Sequence, residues 1–399
     1  MISFKTITKY YIMISVQENT YNNNKTNEIK NFKMKEWISK DKINWVLLCK
    51  NKNAMNFIEE NIKYIKNNFK CWSELSIQPY ALPILEKYHD KINWNFLSHN
   101  PNALHLLEEN PDKIDSSHIC LNTNMNVCKI LMDENIILFK MWNYIYSNSG
   151  CMELIKKQDI NDINWIYLCK NENPEALDIV RRHVILLNQE CFLNLCKNIN
   201  GVVVLEDIID HYLNEIYDEN VKLKYFKYLA LNPNGIHLLE KYIDDFSTFK
   251  YFYCIVQNEN ALHIIKEHLQ KLDEIIFDED IKFKIEGIKS WENLDYHPFG
   301  DKYFKDDREN FHNSKNEDDE LYEIEKKYKN LKYNLTWNYL CLNKNPDAIE
   351  IIENNLDKLN SDCWDVLSKN KHAIHILEQN QSKVSWDNLM VNEAIFDLI

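Results

Sequence analysis

The sequence predicts an all-α protein, an α-solenoid of about thirteen two-helix repeats of 22–27 residues. Three observations predict this class. A tryptophan-containing pattern recurs along most of the chain. Within each copy, the apolar residues follow one another at the spacing of one helix face. Each copy has a single apolar flank that it cannot bury alone, so the copies must stack on one another.

The repeated pattern reads W-x-x-L-S/C-x-N, a short turn, and then A-I/L-x-x-L/I-E-x-N, as in INWNFLSHNPNALHLLEEN from Ile92. The position of the first tryptophan, the aromatic slot, is filled by Trp45, Trp72, Trp94, Ser116, Trp142, Trp165, Phe192, Phe226, Phe252, Trp291, Trp337, Trp364 and Trp386. Only Ser116 is not aromatic, and Trp37 is the one tryptophan outside the slot. Chance does not give such regularity, so each slot marks one structural unit.

Each position after the aromatic slot has a physical role in the predicted first helix. Leu or Ile at position +3 lies 60° from the aromatic side chain on the same face. A small residue at +4, such as Ser98 or Cys169, lets a neighbouring helix approach closely. Asn at +6, as at Asn100, suits a helix stop because Asn tolerates the left-handed conformation and bonds nearby backbone.

The predicted second helix begins with a small residue such as Ala103, often after Pro and Asn, which favour helix starts. Leu104, Leu106 and Leu107 then lie on the same side as the alanine, and His105 lies roughly opposite. Each unit is therefore expected to be a pair of helices of about three turns each. Stacked units give a rod or a curved array.

The pattern resembles the short helical repeats, often described as ankyrin-like, that large DNA viruses of protists carry in many copies. The resemblance covers Trp37 to Ile399. Ankyrin repeats proper have a period of about 33 residues and a T-P-L-H signature that is missing here. The resemblance implies a viral protein that binds other proteins, in the host cytoplasm or within the virus particle. It carries over no catalytic residue.

Departures from the pattern suggest four segments. Residues 1–35 are expected to form a flexible tail, 36–298 a repeat array, 299–331 a charged insert, and 332–399 the rest of the array. The stretch EDIIDHYLNEIYDENVKLKYF from Glu206 predicts a longer second helix.

Composition disfavours several classes of function. The formal net charge of −14 argues against a nucleic acid or an anionic membrane as partner. No apolar stretch reaches the roughly 18 residues that span a bilayer. The 11 cysteines show no CxxC pair, which predicts free thiols in a reducing compartment. With 5 glycines and no phosphate-binding motif, no cofactor is expected and an enzyme is disfavoured.

Two sets of side chains are candidates for binding a partner. The first lies at position +2, pointing away from the apolar face: Phe96, Tyr144, Tyr167, Tyr228 and Tyr339. These rings either pack against the next unit or line a groove, where aromatic residues are enriched in binding hot spots. The second set lies two residues after the small residue of the second helix: His105, His237, His263 and His375. Solvent-facing positions explain these histidines as well, and their spacing does not converge on a metal.

The C-terminal unit is short and ends in Ile395, Phe396, Leu398 and Ile399. These side chains either fold back over the preceding unit or leave an apolar end, with Phe396 exposed for a partner or for weak self-association. The sequence therefore predicts a protein-binding scaffold. The alternative is a structural, virion-associated protein that assembles through its repeat ends.

Overall fold

The computed structural model describes residues 32–133, 141–214, 216, 218–244, 250–277 and 337–399. Within these ranges the chain is mainly α-helical, which confirms the predicted dominance of helix. The predicted tail over residues 1–31, the unit at Trp291 and the insert at 299–331 lie outside the described residues.

The described helices form twelve consecutive units, numbered here from 1 to 12. Their first helices are Trp45–Leu48, Phe69–Ile77, Trp94–His99, Ser116–Ile119, Trp142–Ser147, Trp165–Leu168, Gln189–Lys197, Glu219–Leu231, Phe252–Val256, Trp337–Leu342, Ser361–Leu367 and Trp386–Met390. Their second helices are Met55–Glu60, Leu82–Lys87, Leu104–Glu109, Val127–Asp133, Met152–Ile155, Pro174–Arg182, Val202–Asn214, Ile236–Leu239, Leu262–Phe277, Pro346–Glu353, Ile374–Gln379 and, as a 3-10 turn, Glu393–Ile395. Most are shorter than the expected three turns. The longer second helix predicted over Glu206 to Phe226 is correct only in its first part: the second helix is Val202–Asn214, and the rest of the stretch from Glu219 belongs to the next first helix, Glu219–Leu231.

The first helices end at Asn for a different reason than the sequence suggests. Asn100 has φ −75° and ψ 114°, which is extended backbone, and Asn198 and Asn232 adopt similar angles. The expected left-handed conformation is therefore wrong for these residues. The extended backbone turns the chain away from the helix, and the asparagine side chain points into the next interface.

The aromatic slot is not equally buried in every unit. Trp72, Phe192 and Trp364 are at most 3% exposed, whereas Trp94 and Trp165 are half-buried. For Trp72, Phe192 and Trp364 the first helix begins three residues before the aromatic residue, whereas in units 3 and 6 it begins at the tryptophan itself. The helix start alone does not set the burial, because Phe252 is 1% exposed although its helix begins at Phe252.

The last unit is bonded to the first, so the array has no free ends. Asn51 Nδ2 donates to the carbonyl oxygens of Met390 and Asn392, at 3.1 and 2.9 Å. Strand β1 (Phe32–Met34) pairs antiparallel with strand β2 (Phe396–Leu398). Of the two expected shapes, a rod or a curved array, the rod is therefore wrong, because the last unit meets the first. Residues 32–35 belong to this closure, not to a flexible tail.

We call this closed series of units the ring. Unit 10 stacks directly on unit 9, because Asn343 Nδ2 donates to the carbonyl oxygens of Val256 and Asn258. Most neighbouring first helices pack against each other, whereas neighbouring second helices are joined mainly by long side chains, such as Lys87 to Glu59 at 2.7 Å. The first helices are therefore the closer-spaced layer, and they form the inner side of the ring.

Candidate functional site

A ladder of asparagine side chains joins the units around the ring. In eleven units, the Asn at position +6 donates through Nδ2 to two backbone carbonyls of the preceding unit, at positions +4 and +6. These residues are Asn51, Asn100, Asn122, Asn148, Asn171, Asn198, Asn232, Asn258, Asn343, Asn370 and Asn392. In unit 2, Gln78 bonds the carbonyl of Lys50 instead. All but Asn370 of the eleven are buried, so the amides satisfy carbonyls that water cannot reach.

A second ladder runs beside the first, at position +8. There, Asn Nδ2 donates to the +7 carbonyl of the preceding unit, as Asn102 does to Pro79 at 3.1 Å and Asn234 to Ile199 at 2.9 Å. The same bond joins Asn53 of unit 1 to Glu393 of unit 12, at 3.1 Å. The closure therefore repeats the bonding between ordinary neighbours.

Most of the small residues at position +4 contact the next unit in one of two ways. Ser76 Oγ accepts from the backbone N–H of Asn93 at 3.0 Å, and Ser98 and Ser368 make the equivalent contact. In three of the five units with cysteine at +4, the thiol instead meets a cysteine thiol just before the next aromatic slot, in the pairs Cys49–Cys71, Cys169–Cys191 and Cys341–Cys363. Of the other two, Cys120 donates through Sγ to the Ser116 carbonyl of its own unit, and Cys196 is followed by Tyr225, not cysteine, before the next slot. The hydrogen bond between partners, and then burial, raises the pKa of Cys169. These thiols pack interfaces and are not exposed nucleophiles.

The five candidate aromatic residues at position +2 lie on the inner layer of the ring. Phe96 is 37% exposed and Tyr144 is 48% exposed. Tyr167, Tyr228 and Tyr339 are half-buried by contacts with lysine or tyrosine. The ring of Phe96 meets the His118 imidazole edge-on, at 5.7 Å. Two rings are thus open to a partner and three are partly covered.

The candidate histidines lie on the second helices, and each faces a glutamate of the preceding unit. The Nε2 to Oε distances are 3.1 Å for His105–Glu86, 3.0 Å for His237–Glu206, 2.6 Å for His263–Glu240 and 3.7 Å for His375–Glu353. The repeated geometry explains the histidines as contacts between units. They are about half exposed and lie away from the aromatic set.

Phe396 is not available to a partner. It is 5% exposed and packs on Phe57 of unit 1, with ring centroids 6.0 Å apart. The exposed apolar end expected there is therefore wrong, and so is a cap made only on the preceding unit. Strand β2 lies on strand β1, and only Leu398 and Ile399 remain exposed, at 60% and 75%.

The inner layer has two chemically different sectors. In units 3 to 5 it carries Phe96, His99, His118 and Tyr144. Burial, and then the nearby His118, lower the pKa of His99, which favours its neutral form. In units 6 to 8 the layer carries lysines over tyrosine rings, with Lys170 Nζ at 4.4 Å from the Tyr167 centroid.

Among the described residues, no group of three or more His, Cys, Asp or Glu side chains can hold a metal ion. None of the helices in the described ranges is long and apolar enough to cross a membrane. The chain matches no protein-family model, no curated protein and no solved structure. The resemblance to viral repeats therefore depends on the repeated motif alone.

Two features of the interfaces were missed at the level of sequence. The first is the bonding of the +8 asparagines to the preceding unit. These residues are visible in NPNA-like turns, but their presence there was explained by the start of the second helix. The cysteine pairs could have been found by comparing units, because Cys71, Cys191 and Cys363 follow units with cysteine at +4, whereas Asn93, Asp115 and Ser385 follow units with serine.

Proposed function

We propose that the chain is a protein-binding scaffold, a closed repeat array that holds its partner on the inner layer of first helices. The observation that carries this proposal is the pair of open rings, Phe96 and Tyr144, on the side away from the apolar core. Exposed aromatic rings held by a packed helix cost little entropy on binding and are frequent hot spots.

The charge distribution supports the same face. Second helices carry many carboxylates, among them Glu59, Glu86 and Glu240, which pair with neighbouring units. The first-helix side in units 3 to 5 has few charges, so a protein segment there loses little hydration energy. We propose a viral interaction protein from the motif resemblance alone.

The alternative role, assembly of particles through repeat ends, requires free ends. The bonds between units 12 and 1 occupy these surfaces in the monomer, so no observation favours it.

Affinity purification with the tagged full-length chain, followed by mass spectrometry, tests the proposal. Replacing both Phe96 and Tyr144 with alanine should remove the captured proteins, while Ile185→Ser, a 92% exposed residue at the far edge of unit 6, should retain them. Capture that is unchanged by the first variant and lost with the second would contradict binding on the inner layer.

A further inference from the structure

Three lysines on the inner layer of consecutive units form a strip, which we call the lysine strip. They are Lys170, just after the first helix of unit 6, Lys197, at the end of that of unit 7, and Lys227, within that of unit 8. We propose that this strip binds acidic side chains of an extended protein segment. The inference rests on the proposed scaffold function and names the chemistry of its partner.

Aromatic rings, not carboxylates, hold these lysines. Lys170 Nζ lies 4.4 Å from the Tyr167 centroid, and Lys197 Nζ lies 4.4 Å from that of Tyr228 in the next unit. Lys227 reaches Tyr228 at 6.0 Å and Tyr251 at 5.5 Å. Cation–π contacts of this kind hold an ammonium in place without neutralising it. In the described part of the chain, no carboxylate pairs with any of the three lysines.

Lysines also lie over aromatic rings in the turns between units, at Lys113, Lys358 and Lys383, whereas other lysines pair with carboxylates. On the same inner layer, Lys50 pairs with Glu74 at 3.2 Å. On the second helices, Lys87 pairs with Glu59 at 2.7 Å. In a chain with a net charge of −14, three neighbouring cations without carboxylate partners form a local positive field. Such a field favours an anionic ligand at this sector.

The spacing favours an extended polypeptide as that ligand. Lys170 and Lys197 both occupy position +5 of neighbouring units, and packed helices lie about 8–10 Å apart, so these two lysines repeat at roughly that distance. Lys227 occupies position +1 of the next unit, and its Nζ lies close to that of Lys197 because both reach the Tyr228 ring, at 6.0 and 4.4 Å from its centroid. An extended polyproline-type segment returns to the same side every three residues, or about 9 Å. Carboxylates three residues apart would then meet Lys170 and the neighbouring pair of Lys197 and Lys227 in turn. Apolar residues of the same segment would continue over Tyr144 and Phe96.

A nucleic acid is less suited to this strip. Its affinity comes from neutralising many phosphates, which three lysines within an acidic molecule do not provide. A peptide with a few carboxylates can bind through the local positive field of the three lysines alone.

The test uses the full-length chain and a fluorescein-labelled peptide of five Glu-Ala-Pro repeats, followed by fluorescence anisotropy. We expect saturable binding that weakens as salt increases, since exposed ion pairs are screened. Replacing Lys170, Lys197 and Lys227 with glutamine should weaken binding about tenfold. In the matched control, glutamine replaces Lys87, Lys129 and Lys156 on the second-helix side. This variant has the same net charge as the strip variant. It should bind as the native chain does.

Equal losses in the two triple variants, or none in the strip variant, would overturn the proposal. So would a fifteen-residue oligothymidine that binds the strip more tightly than the peptide does. The strip variant is also used in the affinity purification. If it captures the same proteins as the native chain, in a manner that still depends on Phe96 and Tyr144, the scaffold function stands and the acidic partner is wrong.

Discussion

At the scale of single residues, the Asn at position +6 is the polar group on which stacking depends. Asn100 donates to the carbonyls of Ser76 and Gln78, and its Oδ1 accepts from the N–H of Asn102. Its replacement by alanine leaves buried groups without partners. We expect Asn100→Ala to lower the free energy of unfolding by about 2–4 kcal/mol.

Asn95 of the same unit is the matched control, because it is exposed on the helix. Asn95→Ala should change stability by less than about 0.5 kcal/mol. Urea denaturation followed by circular dichroism measures both. Similar losses for the two variants would mean that the interface bonds of Asn100 contribute little.

The aromatic slot allows a second comparison at this scale. Trp72 is 3% exposed, and Trp94, in the same slot of the next unit, is half-buried. Trp72→Ala removes a buried indole and leaves a cavity, so we expect a loss of about 3–5 kcal/mol. Trp94→Ala should cost clearly less, because one side of its ring already meets solvent and Lys113. The denaturant midpoints of the two variants show which substitution lowers the stability more.

At the scale of elements, the paired strands β1 and β2 tie residues near the N-terminus to the last unit. Phe396 fills the space between β2 and unit 1, where it meets Phe57. Phe396→Glu should destabilise the chain by about 3 kcal/mol or more, since a buried aromatic is lost and a charge takes its place. Ile399→Glu, at a 75% exposed position, should be nearly neutral.

Hydrogen exchange gives a local measurement of the same effect. The Lys35 N–H donates to the Ile395 carbonyl at 2.9 Å. We expect the peptide that contains this amide to lose protection in Phe396→Glu and to keep it in Ile399→Glu. Unchanged protection in both variants would show that the strands hold without Phe396.

At the scale of the whole molecule, closure of the ring predicts a specific chemical crosslink. Lys52 Nζ of unit 1 lies 2.9 Å from Glu393 Oε2 of unit 12. A zero-length carbodiimide should join these residues within one monomer, and mass spectrometry of the digested monomer band detects the product. Lys87 and Glu59, in adjacent units, serve as a control that forms in an open array as well. The control crosslink without the first would indicate an open array.

The sequence predicted local features well, because periodicity within one unit determines which side of each helix is apolar. The units beginning at Trp94 and Trp364 were found from their motifs alone. Closure could not be predicted in this way. Closure depends on the rotation between each pair of neighbouring units, because these rotations add up around the ring. The motif describes a single unit and does not specify the rotation to the next one. Phe396 is buried because closure brings unit 1 against it. Its predicted exposure was wrong because the motif does not reveal closure.

The positions of the candidate side chains could be predicted in part, and their role in binding stays a prediction. Spacing placed Phe96 and Tyr144 on the side away from the apolar core, where they lie. The lysine strip was not recognised, because net charge describes the whole molecule and hides a local excess. Whether a lysine is neutralised depends on which carboxylate a neighbouring unit brings close, as Glu74 does for Lys50.

The bonds from unit 12 to unit 1 also bear on how such a gene can change over time. Open repeat arrays tolerate duplication or loss of a whole repeat, because the new end resembles the old one. Here an additional repeat must fit into a ring that is already closed, so the rotation between neighbouring units would have to change all round the ring for Asn51 and Asn53 to keep their bonds to the last unit. The number of repeats is therefore constrained in this chain in a way that it is not in an open array.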